Sequence, residues 1–166
     1  DACITIFGVL YIGFFLSLIS SVRDMVLGEF FVWIIFISAW GTDTFAYFTG
    51  FLFGKNKLAP VLSPKKTIEG AIGGVIGAAL LGLVYTWVYG TYYNMEVMEY
   101  LWIVPILTAC TSIIAQLGDL SASAMKRSLE VKDFGYILPG HGGVLDRFDS
   151  VLFTSPFIYI ILQLIK

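Results

Sequence analysis

Charge is what this sequence has least of. Asp, Glu, Lys and Arg make up 13% of its 166 residues, about half their share in soluble domains. That scarcity, with 58% hydrophobic residues and a mean hydropathy of +0.85, excludes a water-soluble globular domain. Histidine occurs once, at His141, and cysteine twice, at Cys3 and Cys110, both inside apolar runs. No disulfide framework and no ordinary zinc site can be built from that set, and both cysteines are expected to be packed in helices. The first apolar stretch has no basic segment ahead of it, so it reads as a mature helix and not as a signal peptide. An initiator methionine is absent, and the expectation is one membrane-embedded domain over residues 1–166, belonging to a longer chain.

What is present is a series of apolar runs long enough to cross a bilayer. The expected fold is all-α, a polytopic integral membrane bundle of about five transmembrane helices. The first span runs over about Ala2 to Ser20 and the second over about Glu29 to Phe53, rich in aromatics and interrupted by Gly41, Thr42, Asp43 and Thr44. A loop from Gly54 to Thr67 follows. The third span, about Ile68 to Tyr89, carries Gly70, Gly73, Gly74, Gly77 and Gly82, a density that predicts close packing on a neighbouring helix. A loop from Gly90 to Glu99 leads to the fourth span, about Tyr100 to Leu117, with a possible continuation toward Met125; the fifth covers about Phe148 to Ile165. Lys55, Lys57, Lys65, Lys66, Lys126, Arg127, Lys132 and Arg147 lie in or beside two of the loops, and the whole chain has ten basic residues. By the positive-inside rule both of those loops face the cytoplasm.

Acidic residues stand where lipid is expected. Asp43 falls inside the second span and Asp119 at the end of the fourth, and a charge at mid-bilayer costs about 2.5–3.5 kcal/mol even on the lenient insertion scale. Such residues cap a helix near the interface or face a wet interior. Asp146 and Asp149 stand at the entrance to the fifth span, where carboxylates from two helix ends can converge on one hard cation; oxygen ligands open to water suit magnesium. Between these carboxylates lie Lys126, Arg127 and Lys132, with Gly140, Gly142 and Gly143 around His141. Each of these alone is commonplace: a Lys-Arg pair at a cytoplasmic helix end anchors topology, and a histidine beside glycine is usually structural. Together in one loop they point to nucleotide or pyrophosphate chemistry. The run Ser63-Pro64-Lys65-Lys66-Thr67 reads either as a connector ending in the helix N-cap Thr67, with Glu69 in the first turn, or as a site for an anionic head group.

The pattern Ser123-x-Met125-Lys126-Arg127, Lys132-Asp133, Gly135, Leu138-Pro139, His141-Gly142-Gly143 and Asp146-Arg147-Phe148-Asp149, spanning 27 residues, resembles the signature of the phosphatidate cytidylyltransferase (CDP-diacylglycerol synthase) family. Asp43-Thr44 with Ala46-Tyr47, and Ser63 to Thr67 with Glu69-Gly70, resemble the same family. Its members usually have more spans on the N-terminal side, so the resemblance implies that this chain is the C-terminal catalytic part. It further implies reaction of CTP with phosphatidic acid to give CDP-diacylglycerol and pyrophosphate, magnesium dependence with room for a second cation, and a homodimer in a cell membrane, expected to be the bacterial inner membrane. No nucleic-acid partner is expected. Asp119 and Asp146 would hold the metal, assisted by Asp149 or Asp43. Lys126, Arg127, Lys132 and Arg147 would contact the triphosphate and leaving pyrophosphate. Ser63, Lys65, Lys66 and Thr67 would guide a substrate phosphate, and Ser123, Asp133, His141 and Gly142 would bind phosphate or organise the loop. Two alternatives stay open: a CTP-dependent polyprenol or dolichol kinase, and an ion transporter lined by Asp43, Asp119 and the glycine-rich helix.

Overall fold

A computed structural model describes residues 6, 8–131, 133–135 and 143–165. Among them five α-helices and one β-ribbon follow in order: α1 (Phe15–Arg23), extended at its start by a π-turn (Leu10–Phe14); α2 (Gly28–Phe53); β1 (Lys57–Ala59); β2 (Ser63–Thr67); α3 (Ile68–Tyr92); a 3₁₀ turn (Met95–Tyr100); α4 (Ile103–Ser128); and α5 (Leu145–Ile165). The all-α membrane bundle expected from composition is present. Three helices, α2, α3 and α4, are long and apolar enough to cross a membrane. At 25 or 26 residues each they measure about 38 Å, longer than a hydrocarbon core of about 30 Å, so their ends reach the head groups. The other two expected spans differ. Among the described residues the apolar helix Leu10–Arg23 covers less than a full span, and α5 holds Asp146, Arg147 and Asp149 in its first turns and Pro156 farther along.

Packing follows from small residues. α3 lies along most of α2, and a methyl group added at Gly77 would stand 2.1 Å from Phe45 Cγ, one at Gly73 2.2 Å from Thr49 Oγ1. Gly74, Gly77 and Gly82 are buried, whereas Ile72, Ile76, Leu80 and Val84 of the same helix are exposed. That four-residue repeat is the face left for lipid. The densest apolar packing gathers Val22, Phe30, Phe31, Ile34, Ile35, Val97, Val104 and Ile158, at the end of the bundle where α2 and α4 begin. Polar groups collect toward the other end.

One local feature departs from the sequence expectation and another agrees with it. The stretch read as a plain loop contains an antiparallel ribbon, with Lys57 opposite Thr67 and Ala59 opposite Ser63. Pro64 is tolerated there because a two-stranded ribbon has outer edges that need no N–H. The fourth helix does continue past Leu117, to Ser128, and it starts at Ile103, after the 3₁₀ turn. Its Pro105 sits in the first turn, where an N–H has no intrahelical partner to lose. Cys110 lies in α4 as expected, but on the exposed face; Cys3 lies outside the described residues.

Candidate active site

The ribbon is fastened to α3 at its base. Thr67 caps that helix, its hydroxyl accepting the Gly70 N–H at 3.1 Å. Glu69, in the first turn, accepts the N–H groups of Lys55 at 3.1 Å and Asn56 at 3.2 Å and the Asn56 side-chain amide at 2.8 Å. A threonine cap with an acid two residues on is a common helix start; here the acid also holds the chain entering the ribbon.

This fixes a cavity of about 500 Å³ between α2, the ribbon, the start of α3 and the middle of α4, whose walls include Asp43, Tyr47, Ser63, Lys65, Lys66, Thr67, Gln116 and Asp119. Asp43 and Tyr47 are one turn apart on α2, and Gln116 and Asp119 one turn apart on α4, so each helix presents a short polar face. Lys66 Nζ forms an ion pair with Asp119 Oδ2 across the cavity, their side chains 28% and 21% exposed. Gln116 Nε2 donates to Ala71 O at 3.1 Å, tying α4 to α3. Arg127 Nε donates to Leu62 O at 3.5 Å, which brings the end of α4 to the ribbon turn. Helix cap and cavity wall thus meet in one motif, with Thr67 in both and Ser63, Lys65 and Lys66 in the wall.

A second polar cluster adjoins this cavity. Asp149 is buried and accepts from Ser150 N at 2.8 Å and Ser150 Oγ at 3.2 Å. The same hydroxyl lies 3.4 Å from Asp43 Oδ2, so one serine joins carboxylates of α2 and α5. The Asp119 carboxylate is close enough to repel both Asp43 and Asp149. Asp146 is held differently. Lys126 Nζ pairs with its Oδ1 at 2.8 Å, and the N–H groups of Phe134 and Gly143 donate to its Oδ2 at 2.9 and 3.0 Å. The Lys126 ammonium also lies 5.4 Å from the centre of the Phe134 ring. Charge-assisted bonds of this kind organise the chain on either side of the loop.

Of the residues marked from sequence, Asp43, Ser63, Lys65, Lys66, Thr67 and Asp119 meet in the cavity, and Asp149 reaches Asp43 through Ser150. Ser123 and Lys126 follow Asp119 on α4 at i+4 and i+7, hence on one face, and Lys126 engages Asp146. Arg127 reaches the ribbon. Arg147, in the first turn of α5, accepts the Trp40 indole N–H on its carbonyl at 3.4 Å. Asp133 is half-buried beside Phe134 in the chain. Lys132, His141 and Gly142 lie outside the described residues. Gln116 and Ser150 were not marked; a polar side chain in the apolar part of α4 was a usable signal for Gln116, whereas Ser150 had none beyond its place after Asp149.

A family model described as the cytidylyltransferase family matches residues 1–165. The chain belongs to the cytidylyltransferase family. Three curated relatives, each named phosphatidate cytidylyltransferase, show how near other members stand. It is 42% identical to one from Staphylococcus haemolyticus over 98% of its own length and 59% of that protein's. It is 41% identical to one from Bacillus subtilis over 93% and 56%, and 43% identical to one from Staphylococcus aureus over 98% and 59%. The chain thus spans less than three fifths of those cytidylyltransferases.

Among the described residues no three Asp, Glu, His or Cys side chains stand close enough to form a ready metal cage. Magnesium does not require one. It typically takes one or two carboxylates, several waters and substrate phosphates, and hard carboxylate donors beside lysines in a cavity open to water are a fitting set.

Proposed function

We propose that this cytidylyltransferase makes CDP-diacylglycerol from CTP and phosphatidic acid, with magnesium, at a site facing the cytoplasm of a multi-pass protein that works as a homodimer. The observation that supports the reading best is the single cavity into which three distant segments send Asp43, Lys65, Lys66 and Asp119. A lipid phosphate oxygen attacks the α-phosphorus of CTP, the bond to the bridging oxygen breaks, and pyrophosphate leaves. The attacking monoester is already an anion near neutral pH, so no strong general base is called for. What the site must supply is charge neutralisation and alignment.

Lys65 and Lys66 would receive the lipid phosphate at the membrane surface while the acyl chains stay among the exposed apolar side chains of α2 and α3. Lys126, Arg127, Lys132 and Arg147 would face the triphosphate and the departing pyrophosphate. Asp119 and Asp146 would hold magnesium, with Asp43 and Asp149 beside Asp119; the ion would screen the two anions from each other and stabilise the leaving group. Ser123, Asp133, His141 and Gly142 would bind phosphate or shape the loop.

The test is pyrophosphate release by the purified protein in detergent, with CTP, phosphatidic acid and magnesium each omitted in turn. Release needing all three, with CDP-diacylglycerol as the lipid product, is the expected result. CDP as the product would instead identify a kinase acting on a lipid alcohol, and cation flux in vesicles without turnover would identify a transporter.

A further inference from the structure

Two carboxylates in this site have a lysine partner, and the two pairs are built differently. Asp146 keeps two backbone N–H donors besides Lys126, so its carboxylate retains hydrogen bonds if the ammonium moves. Among the described residues Lys66 is the one donor to Asp119, and the carboxyl groups of Asp43 and Asp149 stand near it. A cation beside it, whichever cation that is, stabilises the Asp119 carboxylate in this partly desolvated cavity. Lys66 is suited to being only one of the candidates. It sits on a ribbon strand with free outer edges, on a long side chain, in a cavity of about 500 Å³ that offers its ammonium other positions.

We propose that Lys66 and a divalent cation are exchangeable partners of Asp119, so that arrival of the cation releases Lys66 to an anionic phosphate in the same cavity. This rests on the metal reading of Asp119 given above. An ammonium and a dication cannot share one carboxylate oxygen at contact, because they repel each other in a partly desolvated space. Cation and phosphate then bind with positive linkage, and each strengthens the other by the same factor. Lys66 is in this scheme a positioning residue whose partner reports whether the cation is present.

The experiment measures Mn²⁺ binding by electron paramagnetic resonance on the detergent-purified protein without nucleotide. Lys66→Gln is expected to bind Mn²⁺ roughly 3- to 10-fold more tightly than the wild type, the range for losing a partly buried ion pair. Lys65→Gln, the same change of charge one residue away and outside the pair, is expected to move affinity less than about 2-fold. Lys66→Arg keeps a cation able to pair with Asp119 and should bind Mn²⁺ much as the wild type does. Equal tightening by Lys65→Gln and Lys66→Gln would reduce the effect to general electrostatics and overturn the exchange, as would weaker binding by Lys66→Gln or equal tightening by Lys66→Arg. Asp119→Asn separates the two levels of the argument, since unchanged Mn²⁺ binding in that variant overturns the metal reading itself. Addition of phosphatidate to the micelles should strengthen Mn²⁺ binding more in the wild type than in Lys66→Gln. Equal gains would refute the release of Lys66 to phosphate.

Discussion

Replacement of Gly77 by Ala is the sharpest test of how this bundle positions its site. A methyl group there would stand 2.1 Å from Cγ, 2.4 Å from Cβ and 2.6 Å from Cδ1 of Phe45, against a normal carbon–carbon contact of about 3.5–4.0 Å. Rotation about the Phe45 side chain cannot relieve the clash, because Cβ is itself among the atoms struck. The helices α2 and α3 must separate by about 1 Å or more, and overpacking of this kind costs about 1–3 kcal/mol. Gly90→Ala is the control. Its methyl group would meet the Met98 sulfur at 2.5 Å and Cγ at 2.7 Å, parts of a flexible side chain that can swing aside. Thermal unfolding in detergent should show Gly77→Ala losing about 2–4 °C for each kcal/mol, with Gly90→Ala near the wild type. Phe45→Ala combined with Gly77→Ala should recover part of the loss, a coupling that a double-mutant cycle reads directly. Because α2 brings Asp43 and Tyr47 to the cavity, the same displacement should lower turnover by about 10²-fold. Equal stability of the two alanine variants, or simple additivity of Phe45→Ala and Gly77→Ala, would show that the glycine seam does not set the helix spacing.

Further outcomes follow from other contacts. Asp119→Ala and Asp146→Ala should each abolish pyrophosphate release while leaving a folded protein; near-normal turnover in both refutes the metal assignment. Lys126→Met leaves the Asp146 carboxylate with its two N–H donors but without its counter-ion, in a pair whose side chains are 15% and 9% exposed. A loss of about 2–4 kcal/mol in chemical unfolding is expected, and a change under 0.5 kcal/mol would show the pair to be dispensable. Thr67→Ala removes the α3 cap and should cost about 1 kcal/mol, with the ribbon base exchanging its amide protons faster than in the wild type. Single cysteines at Lys57 and Tyr92, in a background without Cys3 and Cys110, should differ in labelling by an impermeant maleimide applied outside intact cells. Tyr92→Cys should react and Lys57→Cys should not, and the reverse pattern would invert the proposed orientation.

Much of the architecture was legible in the chain itself, for a physical reason. Lipid imposes long apolar segments with their backbone bonds satisfied internally, so α2, α3 and α4 could be located from hydropathy. The glycine face of α3 could be anticipated as a contact face, because density of small residues is a property of sequence. The ribbon could not, since two prolines and four lysines read as a loop until Lys57 and Thr67 are seen paired. Charged residues inside apolar runs singled out Asp43 and Asp119 without revealing their partners. Only the folded bundle decided that Lys66 faces Asp119, that Lys126 takes Asp146, and that Ser150 joins Asp149 to Asp43. These contacts are separated by 20 to 107 positions in the chain, except the bond between adjacent Asp149 and Ser150. Local propensity cannot specify them, because they depend on how three helices and a ribbon close on one another. Sequence alone determined the membrane class and the chemistry available at its polar end, while tertiary packing decided which charges meet.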